Sequence, residues 1–219
     1  MLVVVGASFT AGTGAPDPAE SWAVRLAKLI RWRAVTLGVP GVGYTRQGAD
    51  HLGPLSRLVD RLHLDALHPA FVIIQAGHDD QRVPAGVEAE HVAGLVRRLR
   101  NEVPAARLAF LTVFSPSAAS AATRTAEAAT DSTIVSAIRK SDPRAIVIDP
   151  LRSRWHFPRA ADGLHPTARG DLVIAERVAR ALTRAGVVAT SAAKPTQARV
   201  ACTVLGGVHD HLGRPRAAS

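Results

Sequence analysis

Short apolar runs that stop at glycine, separated by stretches of helical periodicity, constrain the fold of this chain more than any other feature. Residues 1–5 (Met1-Leu2-Val3-Val4-Val5) are unbroken apolar chain up to Gly6, and the run 71–76 ends in the same way at Gly77. A run without polar alternation reads as a strand buried on both faces, which is the environment of a parallel sheet covered by helices. Between such runs, 20–30 carries Trp22, Leu26, Leu29 and Ile30 at helical spacing, and 87–101 places Leu95, Val96 and Leu99 on one side. Further strands are predicted at 34–37, 108–113 and 145–148, and further helices at 49–63 and 167–185. A low-complexity Ala/Ser/Thr stretch at 115–132 passes into a helix ending near residue 140. Alternating strands and helices predict an α/β fold, a three-layer α/β/α sandwich on a flavodoxin-like parallel five-stranded sheet with right-handed crossovers.

At 219 residues and 47% apolar content the chain suffices for one domain with a sizeable core. That domain is expected over 1–186. For 187–219, interrupted by Lys194-Pro195, Gly206-Gly207 and Gly213-Arg214-Pro215, an irregular or flexible tail is expected. The formal charge of +9 attracts polyanions in general. The basic residues, however, are mostly arginines alternating with Ala, Leu and Val at helical spacing, as on a solvated helix face, and no nucleic-acid recognition motif is present, so no nucleic-acid partner is expected. Cys202 is the only cysteine, which rules out an intrachain disulfide. No apolar stretch reaches the roughly 18 residues of a membrane span, and the first strand begins without the pattern of a secretory signal, so a cytoplasmic protein is expected. His209-Asp210-His211 has the look of a metal-ligand pair but lacks Cys or acidic support, and neither a metal nor an organic cofactor is implied.

The chemistry collects where strands end. Ser8 follows the first strand, Gly41 the second, Gly77-His78-Asp79-Asp80 the third, and Asp162-Gly163-Leu164-His165-Pro166 the fifth. In open α/β sheets sites are built at that carboxyl edge. A serine hydroxyl is a poor nucleophile until an imidazole takes its proton, and His165 is the candidate base. Asp162, three residues earlier, is positioned to bind the far ring nitrogen and fix the tautomer. The alternative reading of Asp162 and His165 is a capping arrangement for the last helix, which starts after Pro166.

The four segments, in this order, resemble the SGNH or GDSL-type hydrolases, a family of esterases, lipases and acyl hydrolases. Their blocks read Gly-Asp-Ser, a glycine, Gly-x-Asn-Asp and Asp-x-x-His. Here they read Gly6-Ala7-Ser8, Gly41, Gly77-His78-Asp79-Asp80 and Asp162-Gly163-Leu164-His165. The resemblance covers residues 1 to about 185. It implies a serine esterase working through an acyl-enzyme on Ser8, with Ser8, His165 and Asp162 as catalytic triad and an oxyanion hole from the Ser8 and Gly41 N–H groups and the third-block side chain. The partner it implies is a small or short-chain acyl ester. Acyl transfer from the same intermediate, and a weakly active member acting as a binding protein, are the alternatives.

Two positions depart from the pattern. Ala7 stands where the family has Asp, a side chain that supports the turn. Asp79 stands where the family has Asn, and an ionised carboxylate cannot donate a hydrogen bond to the oxyanion. At 4 Å it would repel that charge by about 4 kcal/mol at an effective dielectric of 20. Either Asp79 is protonated in a desolvated pocket, or it turns away while His78 or a backbone N–H donates, or the site is weak. Substrate-binding roles are expected for His78, Asp80 and Tyr44, and for Trp155, which with His156 and Phe157 precedes the last loop and reads equally as a pocket wall or as core.

Overall fold

The computed structural model describes residues 1–188 and 200–204. All five expected strands are present: β1 (Leu2–Gly6), β2 (Ala34–Gly38), β3 (Phe71–Gln75), β4 (Arg107–Leu111) and β5 (Ile146–Ile148). They pair in parallel in the order β5-β4-β3-β1-β2, the flavodoxin-like arrangement. A sixth strand, β6 (Val200–Val204), continues the sheet beside β2 with Ala34 opposite Val200, where irregular chain was expected. The flanking Pro and Gly residues outweighed a short β-branched run in the sequence reading. His209, Asp210 and His211 lie outside the described residues.

Period-two alternation along the central strands separates two cores. Val3, Val5, Val72 and Ile74 face a layer of helices formed by α3 (Leu55–Leu62), α5 (Ala85–Glu102) and α6 (Ala121–Ser141). Leu2, Val4, Phe71 and Ile73 face α2 (Trp22–Ile30) and α7 (Ala168–Arg184), which contribute Trp22, Leu26, Ile174, Val178 and Leu182. The sheet is thus buried on both sides, as its unbroken apolar runs require. Two short helices, α1 (Ser8–Ala11) and α4 (Leu64–Leu67), complete the set. No described helix is long and apolar enough to cross a membrane.

Helix boundaries depart from expectation for local reasons. The helix expected over 49–63 is a single 3₁₀ turn at Ala49–His51 followed by α3, because Pro54 restricts Gly53 and cannot donate into a continuous helix. Leu29, read as part of the apolar face of α2, is 46% exposed. The Ala-rich stretch is helical from Ala121, where alanine's propensity prevails and Ser120 Oγ accepts from Thr123 N at 3.0 Å.

One buried acid ties α7 to α2. Asp171 is fully buried, and its Oδ1 accepts from Trp22 N at 2.9 Å, while Oδ2 has no partner. Burial pushes its carboxyl up to about 8, against the opposing pull of the Trp22 N–H. An unfolded Asp titrates near 3.9, so between these values the folded chain holds the extra proton and stability falls as pH rises toward the folded value. Asp171→Asn keeps the acceptor for Trp22 and removes the ionisation. The variant is expected to gain stability over the wild type between pH 5 and pH 9, reaching a few kcal/mol in urea unfolding.

Candidate active site

The nucleophile turn is built by close approach. Gly6 ends β1 with its Cα so near Thr10 and Gln75 that a Cβ would lie 2.3 Å from Thr10 Oγ1 and 2.7 Å from the Gln75 carbonyl oxygen. Ala7 caps α1, so Ser8 opens a helical turn whose first N–H groups have no intrahelical acceptor. Ala7, where the family pattern has Asp, is 2% exposed and packs in the core. The turn is held instead by Gln75, whose Oε1 accepts from Ala7 N at 3.2 Å and from Thr10 Oγ1 at 2.9 Å. Gln75 was unassigned in the sequence. Its signal was a lone amide at the end of an otherwise apolar strand. Gln75→Leu is expected to cost about 1–3 kcal/mol in urea unfolding, because the buried Thr10 hydroxyl loses its acceptor.

The last loop brings the other partners. Asp162 Oδ1 accepts from Leu164 N at 2.9 Å and His165 N at 3.0 Å, folding the loop around its own carboxylate. That leaves Oδ2 facing His165 Nδ1 at 2.6 Å, while His165 Nε2 lies 2.8 Å from Ser8 Oγ. The hydrogen bond from His165, then those from the backbone, hold the Asp162 carboxyl down at about 2. Helix α7 has a separate cap: Thr167 Oγ1 accepts from Gly170 N at 3.3 Å. The capping alternative for Asp162 and His165 is therefore not what the loop does. Ser8 is 8% exposed, with Phe9 beside it stacked on Phe114 at 4.3 Å and 5.5 Å from the His165 ring.

Gly41 is exposed on the loop after β2, and neither its N–H nor that of Ser8 has an acceptor among the described residues. Asp79 is half-buried and likewise makes no hydrogen bond among them. Burial pushes its carboxyl above the ordinary range; the charge of Asp80 adds to this, while His78, His165 and Arg46 pull the other way.

Two expected substrate contacts are corrected. Asp80 is fully buried; Oδ2 accepts from Tyr44 N at 2.8 Å, and Oδ1 accepts from Thr45 N at 2.9 Å and Thr45 Oγ1 at 2.7 Å. It ties the β3 loop to the β2 loop, and Gly43 admits it, since a Cβ there would sit 2.4 Å from Asp80 Oδ2. Tyr44 is 2% exposed, its hydroxyl buried with no partner among the described residues, so it presents no surface to a ligand. His78 remains partly open, its Nδ1 donating to the Phe114 carbonyl at 3.1 Å. Trp155 is half-buried, with its ring edge-on to Phe114 at 6.2 Å, and it lines a cavity together with Phe114 and Phe157.

Comparison with known proteins bears on the family and the fold. The profile of the GDSL-like lipase/acylhydrolase family matches residues 4–173. A carbohydrate esterase family 2 enzyme with a carbohydrate-binding domain from Corynascus thermopiles (Myceliophthora fergusii) superposes with a TM-score of 0.69 at 17% identity, over 84% of this chain and 65% of that one. The chain thus spans just under two thirds of that enzyme's length. TesA superposes at 0.67 with 20% identity, over 84% of this chain and 98% of that one. The salicylyl-acyltransferase SsfX3 from a tetracycline biosynthetic pathway superposes at 0.65 with 20% identity, over 85% of this chain and 55% of that one. At these identities the likeness is one of fold. No curated protein matches the sequence.

Proposed function

The chain belongs to the GDSL-like lipase/acylhydrolase family of ester-hydrolysing enzymes, and from that premise we propose that it cleaves small or short-chain acyl esters through an acyl-enzyme on Ser8. The observation that carries this reading is the continuous hydrogen-bonded chain from Ser8 Oγ through His165 to Asp162, at 2.8 and 2.6 Å, between segments 157 residues apart. His165 Nε2 takes the Ser8 proton as Oγ attacks the ester carbonyl, and returns it to the leaving alcohol. Asp162 keeps the Nδ1 proton in place and stabilises the imidazolium, a role suited to a carboxylate held ionised down to about pH 2. Water then attacks the acyl-enzyme with His165 again as base. The Asp162 side chain is 48% exposed, so the loop is open to solvent, which favours water over a sequestered acceptor alcohol.

The N–H groups of Ser8 and Gly41 supply two donors to the oxyanion. The third donor is the protonated form of Asp79, a state that burial favours. The test is turnover of p-nitrophenyl acetate, butyrate and octanoate by the purified protein. Saturable hydrolysis that falls off with chain length supports the reading, and turnover no faster than in buffer alone contradicts it.

A further inference from the structure

Three arginines converge on a cavity of about 320 Å³ beside the catalytic loop, and no Asp or Glu lines it. Arg124 comes from α6, while Arg154 and Arg159 come from the segment between β5 and the His165 loop. Phe114, Trp155 and Phe157 form the apolar wall. None of the three forms an ion pair among the described residues, whereas Arg25 pairs with Glu20 and Arg100 with Asp142.

Arg159 is the most committed of the three. Its Nη2 donates to the Ser115 carbonyl at 2.9 Å and its Nη1 to the Phe157 carbonyl at 3.4 Å, and the guanidinium lies 4.2 Å from the centre of the Phe157 ring. Its Nε is buried and has no acceptor among the described residues. Carbonyl dipoles and a ring face orient this cation without neutralising it, and burial lowers its pKa. Glu127, which accepts from Ser115 Oγ, is fully buried and does not line the cavity.

The cavity adjoins the loop that carries His165, though neither Ser8 nor His165 lines it. Ser117 N donates to the Gly163 carbonyl at 2.8 Å, Arg159 pairs with Pro166 in an antiparallel bridge, and Phe157 meets Phe9 edge-on at 6.3 Å. We propose that this cavity binds the anionic end of an organic substrate, a carboxylate or phosphate monoester on an apolar body. The arginine forks take the anion and the aromatic wall takes the apolar part. As a statement about substrate class this rests on the ester-hydrolase reading; as a statement about binding it does not.

The experiment has two arms, each run on the wild type and on an Arg124→Ala/Arg154→Ala variant, in which both substitutions fall on exposed side chains. Calorimetric titration with phenyl phosphate is expected to give saturable binding that weakens with salt and is weaker by roughly 10- to 100-fold in the variant. Inorganic phosphate is expected to bind more weakly than phenyl phosphate. In the kinetic arm, the ratio of kcat/KM for p-nitrophenyl hemiglutarate to that for p-nitrophenyl butyrate is expected to fall by about tenfold or more in the variant. Absence of phenyl phosphate binding, equal binding in the variant, or equal affinity for inorganic phosphate would overturn the proposal. If neither ester is hydrolysed while phenyl phosphate binds as described, the hydrolase reading fails and the anion site stands. If butyrate is hydrolysed while the anion does not bind, the reverse holds.

Discussion

Ser8→Ala is expected to lower kcat/KM for a p-nitrophenyl ester by about 10⁴-fold or more, with His165→Ala close to it. On the proposed mechanism the two side chains act as one unit, the hydroxyl attacking only as the imidazole takes its proton across the 2.8 Å contact. Once either is gone, little remains for the other to do. The double variant should therefore lose no more than the worse single variant, which is the signature of groups sharing one step. Residual turnover in all three would come from the Ser8 and Gly41 N–H donors. Initial rates at several substrate concentrations check this, and independent, multiplicative losses would contradict it.

The second large effect concerns Asp79, the carboxyl proposed as third donor to the oxyanion. Asp79→Asn is expected to raise kcat, by up to about 10² to 10³ at alkaline pH, the usual worth of one such donor. An amide donates at every pH, whereas Asp79 donates only while protonated and opposes the developing charge once ionised. Burial raises its pKa, so at low pH the wild type carries a donor and the two proteins should converge. As pH rises through the raised pKa the wild type loses that donor, and the ratio of variant to wild-type kcat should climb. A ratio below one at all pH values would mean that the carboxylate itself takes part in the reaction.

The sequence made the sheet legible because its strands are buried on both faces and so are written as unbroken apolar runs. The order of segments carrying Ser8, Gly41, Asp79, Asp162 and His165 was legible because each follows a strand. What escaped depended on contacts between distant residues. Gln75 acts on Ala7 and Thr10 from 68 and 65 residues away, and no local pattern marks that. Asp80 and Tyr44 look like loop residues fit for a ligand, yet the Asp80 carboxylate turns inward to the N–H groups of Tyr44 and Thr45, and burial of a charge can be read only once its partners are known. The short run that forms β6 was hidden by flanking Pro and Gly, since a strand five residues long owes its place to the edge of β2 more than to its own composition. Arg124, Arg154 and Arg159 come from two separate segments of the sequence, and only the fold gathers them.

The central claim, that Ser8 is a nucleophile activated by His165, is tested most directly by treating the protein with a fluorophosphonate and mapping the adduct by mass spectrometry. The account predicts one phosphonyl group on Ser8 in the wild type, with labelling slowed sharply in His165→Ala. An unmodified Ser8, or labelling at the same rate without His165, would contradict it.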